Sequence, residues 1–259
     1  MIGIGWRRNL AELISTGDEM IQCLEIVPDH FFDSGRQQLA ELSGRYPVFV
    51  HGLSCSLGTP GPMDEDYLRG FKQVCEACQP LWVSEHVAFT SAGGIDLGHL
   101  NPVSPTRANL HTIAGNAREL QERLELPLLL ENITSSIRLE GDMPENEFLV
   151  ELCRLADCRL LLDVTNLFIN SRNHGFDPQR WLEFIPAELV MQLHVVGYQL
   201  DGNGRYHDSH DQPLQADLLE LISLVMATHQ PQAVILERDD SQARPDEILR
   251  ELEALHAAA

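Results

Sequence analysis

The chain has 259 residues, 44% of them hydrophobic, and 39 acidic against 18 basic side chains give a formal charge of -21. That length suffices for a large α/β domain, while the charge disfavours nucleic acid and anionic membrane surfaces as partners. No apolar run approaches the roughly 18 residues of a membrane span.

The opening segment Met1 to Arg8 puts its bases after its apolar residues, the reverse of a secretory signal, so a cytoplasmic protein is expected. Six cysteines are scattered along the chain. Cys75 and Cys78 have CxxC spacing but fall in a helical pattern, and no second pair completes a zinc site.

In chain order, Ile2 to Trp6 reads as a first strand, with Asn9 capping a helix over Leu10 to Ile14. A second strand, Cys23 to Val27, ends near Pro28, and a helix from Asp33 runs through Leu42. Pro47 to Val50 carries His51 into a loop of small residues, Gly52 to Gly58. Asp64 to Cys78 is helical, with Tyr67, Leu68, Phe71, Val74 and Cys75 on one face. Leu81 to Ser84 leads to Glu85 and His86. The polar, glycine-rich connection Thr90 to Pro105 is long for a loop, which suggests a functional rim.

A helix entered at Ser104-Pro105 reaches about Leu124, and Leu128 to Leu130 follows as a strand ending on Glu131-Asn132. Glu145 to Ala156 is the next helix. Leu160 to Leu162 runs into Asp163, with Asn166 three residues on. Asp163 either caps the next loop or helix or meets a cation, because a strand buried on both faces does not hold an unpaired carboxylate. Arg172 to Pro178 is a turn-rich loop before a short helix at Trp181. Val190 to Leu193 stops on His194. After a turn at Asp201 to Gly204 come Tyr206 to Asp211 and a helix from Pro213 through Leu224. Ala233 to Leu236 ends on Glu237-Arg238-Asp239, and a helix from Pro245 to His256 closes the chain.

Eight strands alternating with eight helical stretches predict parallel βα units. The expected architecture is α/β, a single (β/α)8 TIM barrel over residues 1–259; a doubly wound open sheet is the alternative. Gly3-Ile4-Gly5 lacks the third glycine of a dinucleotide fingerprint.

Six apolar strands stop on His51, His86, Glu131, Asp163, His194 and Glu237, and Cys23-Leu24-Glu25 is a weaker version of the pattern. A barrel gathers these C-terminal strand ends on one face, where such enzymes keep their chemistry. Carboxylates that close repel unless cations hold them, so a polynuclear metal site with a bridging carboxylate is expected. Nitrogen and oxygen donors without thiolate suit iron, manganese or zinc. Asp208 and His210 can lean over the same ring. Asn166 is either a neutral ligand or a hydrogen-bonding group.

With their flanks, these residues form a set of segments: His51-Gly52 with Ser56-Leu57-Gly58, Ser84-Glu85-His86, Glu131 to Ser136, Leu162 to Asn166 with Asn173-His174-Gly175, Gln192-Leu193-His194, Asp208-Ser209-His210 and Glu237-Arg238-Asp239. The set resembles, in order and over nearly the whole chain, the DUF692 family of multinuclear non-heme iron-dependent oxidative enzymes. The resemblance implies a TIM barrel with two or three irons in mixed Fe2+ and Fe3+ states and O2 as co-substrate. It also implies oxidative modification of a ribosomal precursor peptide, at a cysteine or nearby, with a small peptide-recognition partner protein.

Carried over by position, His51, His86, Glu131, Asp163, His194 and Glu237 are the inner ligands, with Glu131 bridging. Asn166, Asp208 and His210 serve an outer iron. One departure stands out: the family often has HxxGH where this chain has His194-Val195-Val196-Gly197-Tyr198. Tyr198 is then a ligand, a radical relay or a packing residue, and His207 is a possible substitute. His174 and Asp239 are acid–base candidates or plain hydrogen-bonding groups. Rival readings are a xylose isomerase-like or endonuclease IV-like divalent-metal barrel, and a metal-dependent peptide carrier without catalysis.

Overall fold

The computed structural model describes residues 1–259. In chain order the strands are β1 (Ile2–Gly5), β2 (Leu24–Ile26), β3 (Val48–His51), β4 (Val83–His86), β5 (Ala88–Ala92), β6 (Ile95–Pro102), β7 (Leu128–Glu131), β8 (Arg159–Asp163), β9 (Val190–Val195), β10 (Gly197–Leu200), β11 (Tyr206–Gln212) and β12 (Ala233–Leu236). The helices are α1 (Ala11–Thr16), α2 (Arg36–Ser43), α3 (Glu65–Cys78), α4 (Arg107–Leu124), α5 (Glu145–Ala156), α6 (Val164–His174), α7 (Pro178–Leu182), α8 (Ala216–His229) and α9 (Pro245–Ala258). Eight strands close into a parallel barrel in the order β1-β12-β9-β8-β7-β4-β3-β2, as the alternation predicts. No helix is long and apolar enough to cross a membrane.

Alternation along each strand sorts the side chains into two cores. One set, including Ile4, Leu24, Val50, Leu130, Leu162 and Leu193, points outward and joins a cluster of 63 buried residues beneath the helices. The other points into the barrel: Cys23, Phe49, Trp82, Leu129, Leu161, Ala233 and Ile235 form a separate plug. Phe49 and Trp82 stack there at 4.2 Å. Two residues further along the same strands lie Glu25, His51, Ser84, Glu131, Asp163 and Glu237, so the polar layer sits directly on the apolar one. On β1 the interior positions are glycines. A Cβ on Gly3 would lie 2.0 Å from the Cys23 carbonyl oxygen, so no larger residue fits there.

Local chemistry sets several boundaries. The Asp64 carboxylate accepts from the backbone N–H groups of Asp66 (2.8 Å) and Tyr67 (2.9 Å) at the start of α3, a cap that contributes about 1 kcal/mol. Cys75 and Cys78 lie on the core face of that helix and act as small apolar residues. Other expectations are corrected. Asn9 caps no helix: Leu10 occupies the N-cap of α1, and the Asn9 amide donates to the Asp240 carbonyl instead. The connection Thr90 to Pro105 is largely the antiparallel hairpin β5–β6, and Gly197 to Gln212 contains a second hairpin, β10–β11. The stretch after Asp163 is helix α6, which runs as far as His174, so only the last residues before Pro178 are loop.

Candidate metal centre

The C-terminal ends of β3, β4, β7, β8, β9 and β12 deliver His51, His86, Glu131, Asp163, His194 and Glu237 to one buried locus. Two donor groups form there. His51, His86 and Glu131 have donor atoms within 4.8 Å of one another, and so do Glu131, Asp163, His194 and Glu237. Glu131 belongs to both. Its Oε2 lies 3.4 Å from His51 Nε2 and 3.3 Å from His86 Nε2, while its Oε1 lies 3.0 Å from His194 Nδ1. The carboxylate therefore spans the two groups with one oxygen each.

Each imidazole is anchored through its other nitrogen, which fixes the ring and the nitrogen it presents. His51 Nδ1 is 2.8 Å from the Ser84 hydroxyl, and His86 Nδ1 is 3.2 Å from Glu85. His194 Nε2 is 2.7 Å from Glu25.

Asp163 divides its oxygens between two tasks. Oδ1 caps α6 by accepting from the Asn166 backbone N–H at 2.7 Å, and Oδ2 is buried without a partner. Asn132 holds the same corner: its amide exchanges bonds of 2.9 and 3.0 Å with the Asp163 backbone. The Asn166 side-chain N–H group donates to the Asn132 carbonyl at 3.1 Å, which leaves Asn166 Oδ1 facing inward, also unpartnered.

Asp208 and His210 come from β11, outside the barrel. His210 Nε2 lies 3.0 Å from Asp208, and its Nδ1 faces Glu237 at 3.6 Å and Asp239 at 3.7 Å. His210 has a left-handed backbone with φ 54°, a conformation of a kind that concentrates at functional sites. Asp239 itself is half-exposed at the rim, paired with Arg7.

A cavity of about 190 Å³ joins these side chains, lined by His51, His86, Glu131, Asp163, Asn166, Asp208, His210, Glu237 and Asp239 among others. Eight buried side-chain polar atoms of the molecule lack hydrogen-bond partners. Five belong to this lining: Glu131 Oε2, Asp163 Oδ2, Asn166 Oδ1, Asp208 Oδ1 and His210 Nδ1. Buried polar atoms are seldom left unpaired, and four of these are carboxylate or amide oxygens with no hydrogen bond, so cations fit the set.

The electrostatics are strained without cations. Burial, then the charges of Glu131 and Asp208, hold the Asp163 carboxyl well above the usual range. Burial disfavours charge on His194, but Glu25, Glu131 and Glu237 outweigh it and raise its pKa well above the histidine value. Against burial, Glu237 and Asp208 lift His210 to about 11. Burial, reinforced by His86 and His194, pushes His51 well below the ordinary range.

Three of the expected residues stand elsewhere. The Tyr198 hydroxyl donates to Asp217 at 3.0 Å, and its ring stacks on Phe168, so it is not brought to the cavity. His207 pairs with Asp201 at the exposed turn of its hairpin. His174 bonds the Ser135 carbonyl at 2.8 Å and lines a neighbouring groove of about 1100 Å³. That groove runs past Pro102, Val103 and Trp181, and shares Ile133 with the small cavity. The strand-end pattern marks Glu25 only weakly and misses Gln192 and Trp82. Their signal is the two-residue period that places them inside the barrel, below the strand ends.

A parallel barrel with buried carboxylate–imidazole groups at its C-terminal face defines a TIM-barrel protein whose strand-end side chains could hold metal ions. The chain belongs to the RiPP precursor modification enzyme family MbnB/TglH/ChrH, whose model matches residues 1–259. It is 34% identical over 242 residues to a UPF0276 protein of Caulobacter vibrioides, covering 92% of this chain and 86% of that one. A UPF0276 protein of Shewanella oneidensis is 31% identical over 261 residues, covering 99% and 93%. Among solved structures, D-psicose 3-epimerase from Clostridium cellulolyticum superposes with a TM-score of 0.63 at 14% identity, covering 99% of this chain and 97% of that one. Endonuclease IV from Thermus thermophilus gives 0.62 at 15% identity, covering 99% and 98%. These two likenesses are of fold alone.

Proposed function

We propose that the chain is a multinuclear non-heme iron enzyme that uses O2 to modify a ribosomally synthesised precursor peptide, at a cysteine or a residue close to it. The observation that carries this reading is the sharing of Glu131 between two buried donor groups, with five unpartnered polar atoms around them. The donors are imidazole and carboxylate without thiolate, a set that suits iron. His51, His86, Glu131, Asp163, His194 and Glu237 would hold the inner ions, and Asn166, Asp208 and His210 an outer one. Bound iron would supply the redox capacity and a Lewis-acidic position for a substrate thiolate or carboxylate.

The protein's own contribution is shape and proton control. The large groove is the path for an extended peptide, and it meets the small cavity at Ile133. His174, which ties the groove wall to Ser135, and Asp239, at the rim beside His210, are the proton-handling candidates. A small peptide-recognition partner protein for the leader belongs to the same reading; the charge of -21 favours a basic partner or a precursor with a basic segment.

The test is anaerobic reconstitution with ferrous iron, metal analysis, and incubation with O2, precursor peptide and partner. More than one iron per chain, oxygen consumption and a changed peptide mass are expected. Preference for zinc or manganese, with no oxygen uptake and no mass change, would move the chain to the isomerase or hydrolase class.

A further inference from the structure

Beneath the candidate metal centre lies a buried polar chain that the ligand pattern does not use. The Trp82 indole N–H lies 2.7 Å from Gln192 Oε1, Gln192 Nε2 lies 2.5 Å from Glu25 Oε2, and Glu25 Oε1 lies 2.7 Å from His194 Nε2. All four side chains are buried. An indole N–H can only donate, so the Gln192 amide must turn its oxygen to Trp82 and its N–H groups to Glu25. The Glu25 oxygen 2.7 Å from Nε2 is the nearer partner and an acceptor, with the Gln192 amide nitrogen further off at 3.3 Å, so a His194 that carries one hydrogen holds it on Nε2. Its lone pair is then on Nδ1, 3.0 Å from Glu131 and 3.2 Å from Glu237, two acceptors that a bound metal ion, or in its absence a second proton on Nδ1, reconciles with it.

Glu25 could instead be a ligand itself, since it groups with His51 and His194. Both of its oxygens are already engaged, however, and it does not line the cavity, whereas Glu131 and Asp163 each present an oxygen there without a hydrogen bond.

We propose that Trp82, Gln192 and Glu25 form a positioning relay that sets the His194 tautomer and so aims Nδ1 at the metal centre. The relay rests on the metal-centre reading above, and its test separates the two. Chain labelled with 15N-histidine is loaded with Zn2+ as a diamagnetic probe, and two-bond 1H–15N spectra report each tautomer. His194 is expected as the Nε2–H form. Glu25→Gln and Trp82→Phe are each expected to weaken Zn2+ binding about 10- to 100-fold. Glu25→Asp, which keeps the carboxylate, should lose less. Trp82→Phe keeps an aromatic ring beside Phe49 and removes the indole donor together with some buried volume, without touching Glu25 itself, so it also tests against Glu25 being a ligand. An Nδ1–H His194 in the wild-type protein, or Trp82→Phe binding Zn2+ within about twofold of wild type, would overturn the relay. Wild-type chain that takes up neither Zn2+ nor Fe2+ would overturn the metal centre and the relay with it. Should Glu25→Gln fail to fold, the wild-type spectrum and Trp82→Phe decide alone.

Discussion

Asp163→Asn should make the metal-free chain more stable while crippling its hold on metal. The cap on α6 survives, because asparagine caps as well as aspartate and its oxygen can still accept from the Asn166 N–H. What changes is the other side-chain atom. Asp163 and Glu131 present donor atoms within 4.8 Å of each other, and two charges at that separation repel by about 3.5 kcal/mol at an effective dielectric constant of 20. The carboxyl escapes by keeping its proton. From an ordinary value of 3.8, that costs at most about 4 kcal/mol at pH 7 and less than half of that at pH 5.

The sign follows from linkage: a carboxyl raised in the folded state binds more protons there than when unfolded, so stability falls as pH climbs above the unfolded value. Asparagine removes the penalty. Thermal unfolding of chelator-treated protein should therefore show a gain for Asp163→Asn that is larger at pH 8 than at pH 5. Each kcal/mol corresponds to about 2–4 °C for a chain of this size. Metal titration of the same variant should show at least about a tenfold loss of affinity, since an anionic donor is replaced by an amide. A variant that melts below wild type at pH 8, or that keeps wild-type affinity, would refute the reasoning.

Three further outcomes are expected. Glu131→Ala should lose more than one ion per chain in quantitative metal analysis, because both donor groups are deprived of an oxygen; loss of a single ion would contradict the shared carboxylate. Tyr198→Phe should leave metal content unchanged and cost about 1 kcal/mol in urea unfolding through the lost bond to Asp217; a fall in metal content would instead put Tyr198 at the centre. Metal uptake should release protons and tighten between pH 6 and 8, because His194 and His210 keep their protons at neutral pH in the metal-free chain; a flat affinity in that window, or no acidification seen with an indicator dye, would refute it.

The barrel and its ring of donors were legible because two periods coincide. A strand buried on both faces reads as a short apolar run, and the first polar residue after Val50, Leu130, Leu162, Leu193 or Leu236 is the one that turns inward at the barrel's top. Glu25 was less legible because it precedes Ile26 in a three-residue strand, so the apolar run before it is only Cys23-Leu24. Gln192 and Trp82 lie inside runs that look uniformly apolar or merely interrupted; only the two-residue period marks them as interior. The hairpins were read as loops because β6 and β11 stand largely clear of the core and carry no alternation of apolar residues. Asp163 read either as a cap or as meeting a cation, and it does cap α6, but the helix itself escaped because eight of its eleven residues are buried, leaving no amphipathic stripe to detect. Tyr198 was drawn toward the centre by motif position; the turn from β9 into β10 carries it outward to Asp217.

Most of the cavity's donors stand on barrel strands, with Asn166 on the first turn of α6, but Asp208 and His210 arrive on a hairpin that the barrel does not include. That hairpin is fastened at a few points. Asn173 exchanges bonds of 2.8 and 3.0 Å with the Tyr206 backbone, the Asp239 N–H donates to the His210 carbonyl at 2.8 Å, and Tyr206 packs against Phe168 and Tyr198. The Tyr198 ring, stacked on Phe168 of α6, seats the hairpin through contacts that a phenylalanine would keep. An ion held by Asp208 and His210 would tie this hairpin to the barrel, and mass action would make the coupling reciprocal: loosening the hairpin would weaken the ion's binding, and loading the ion would slow amide exchange along Tyr206–Gln212. The inner donors, built into the closed sheet, have no such release.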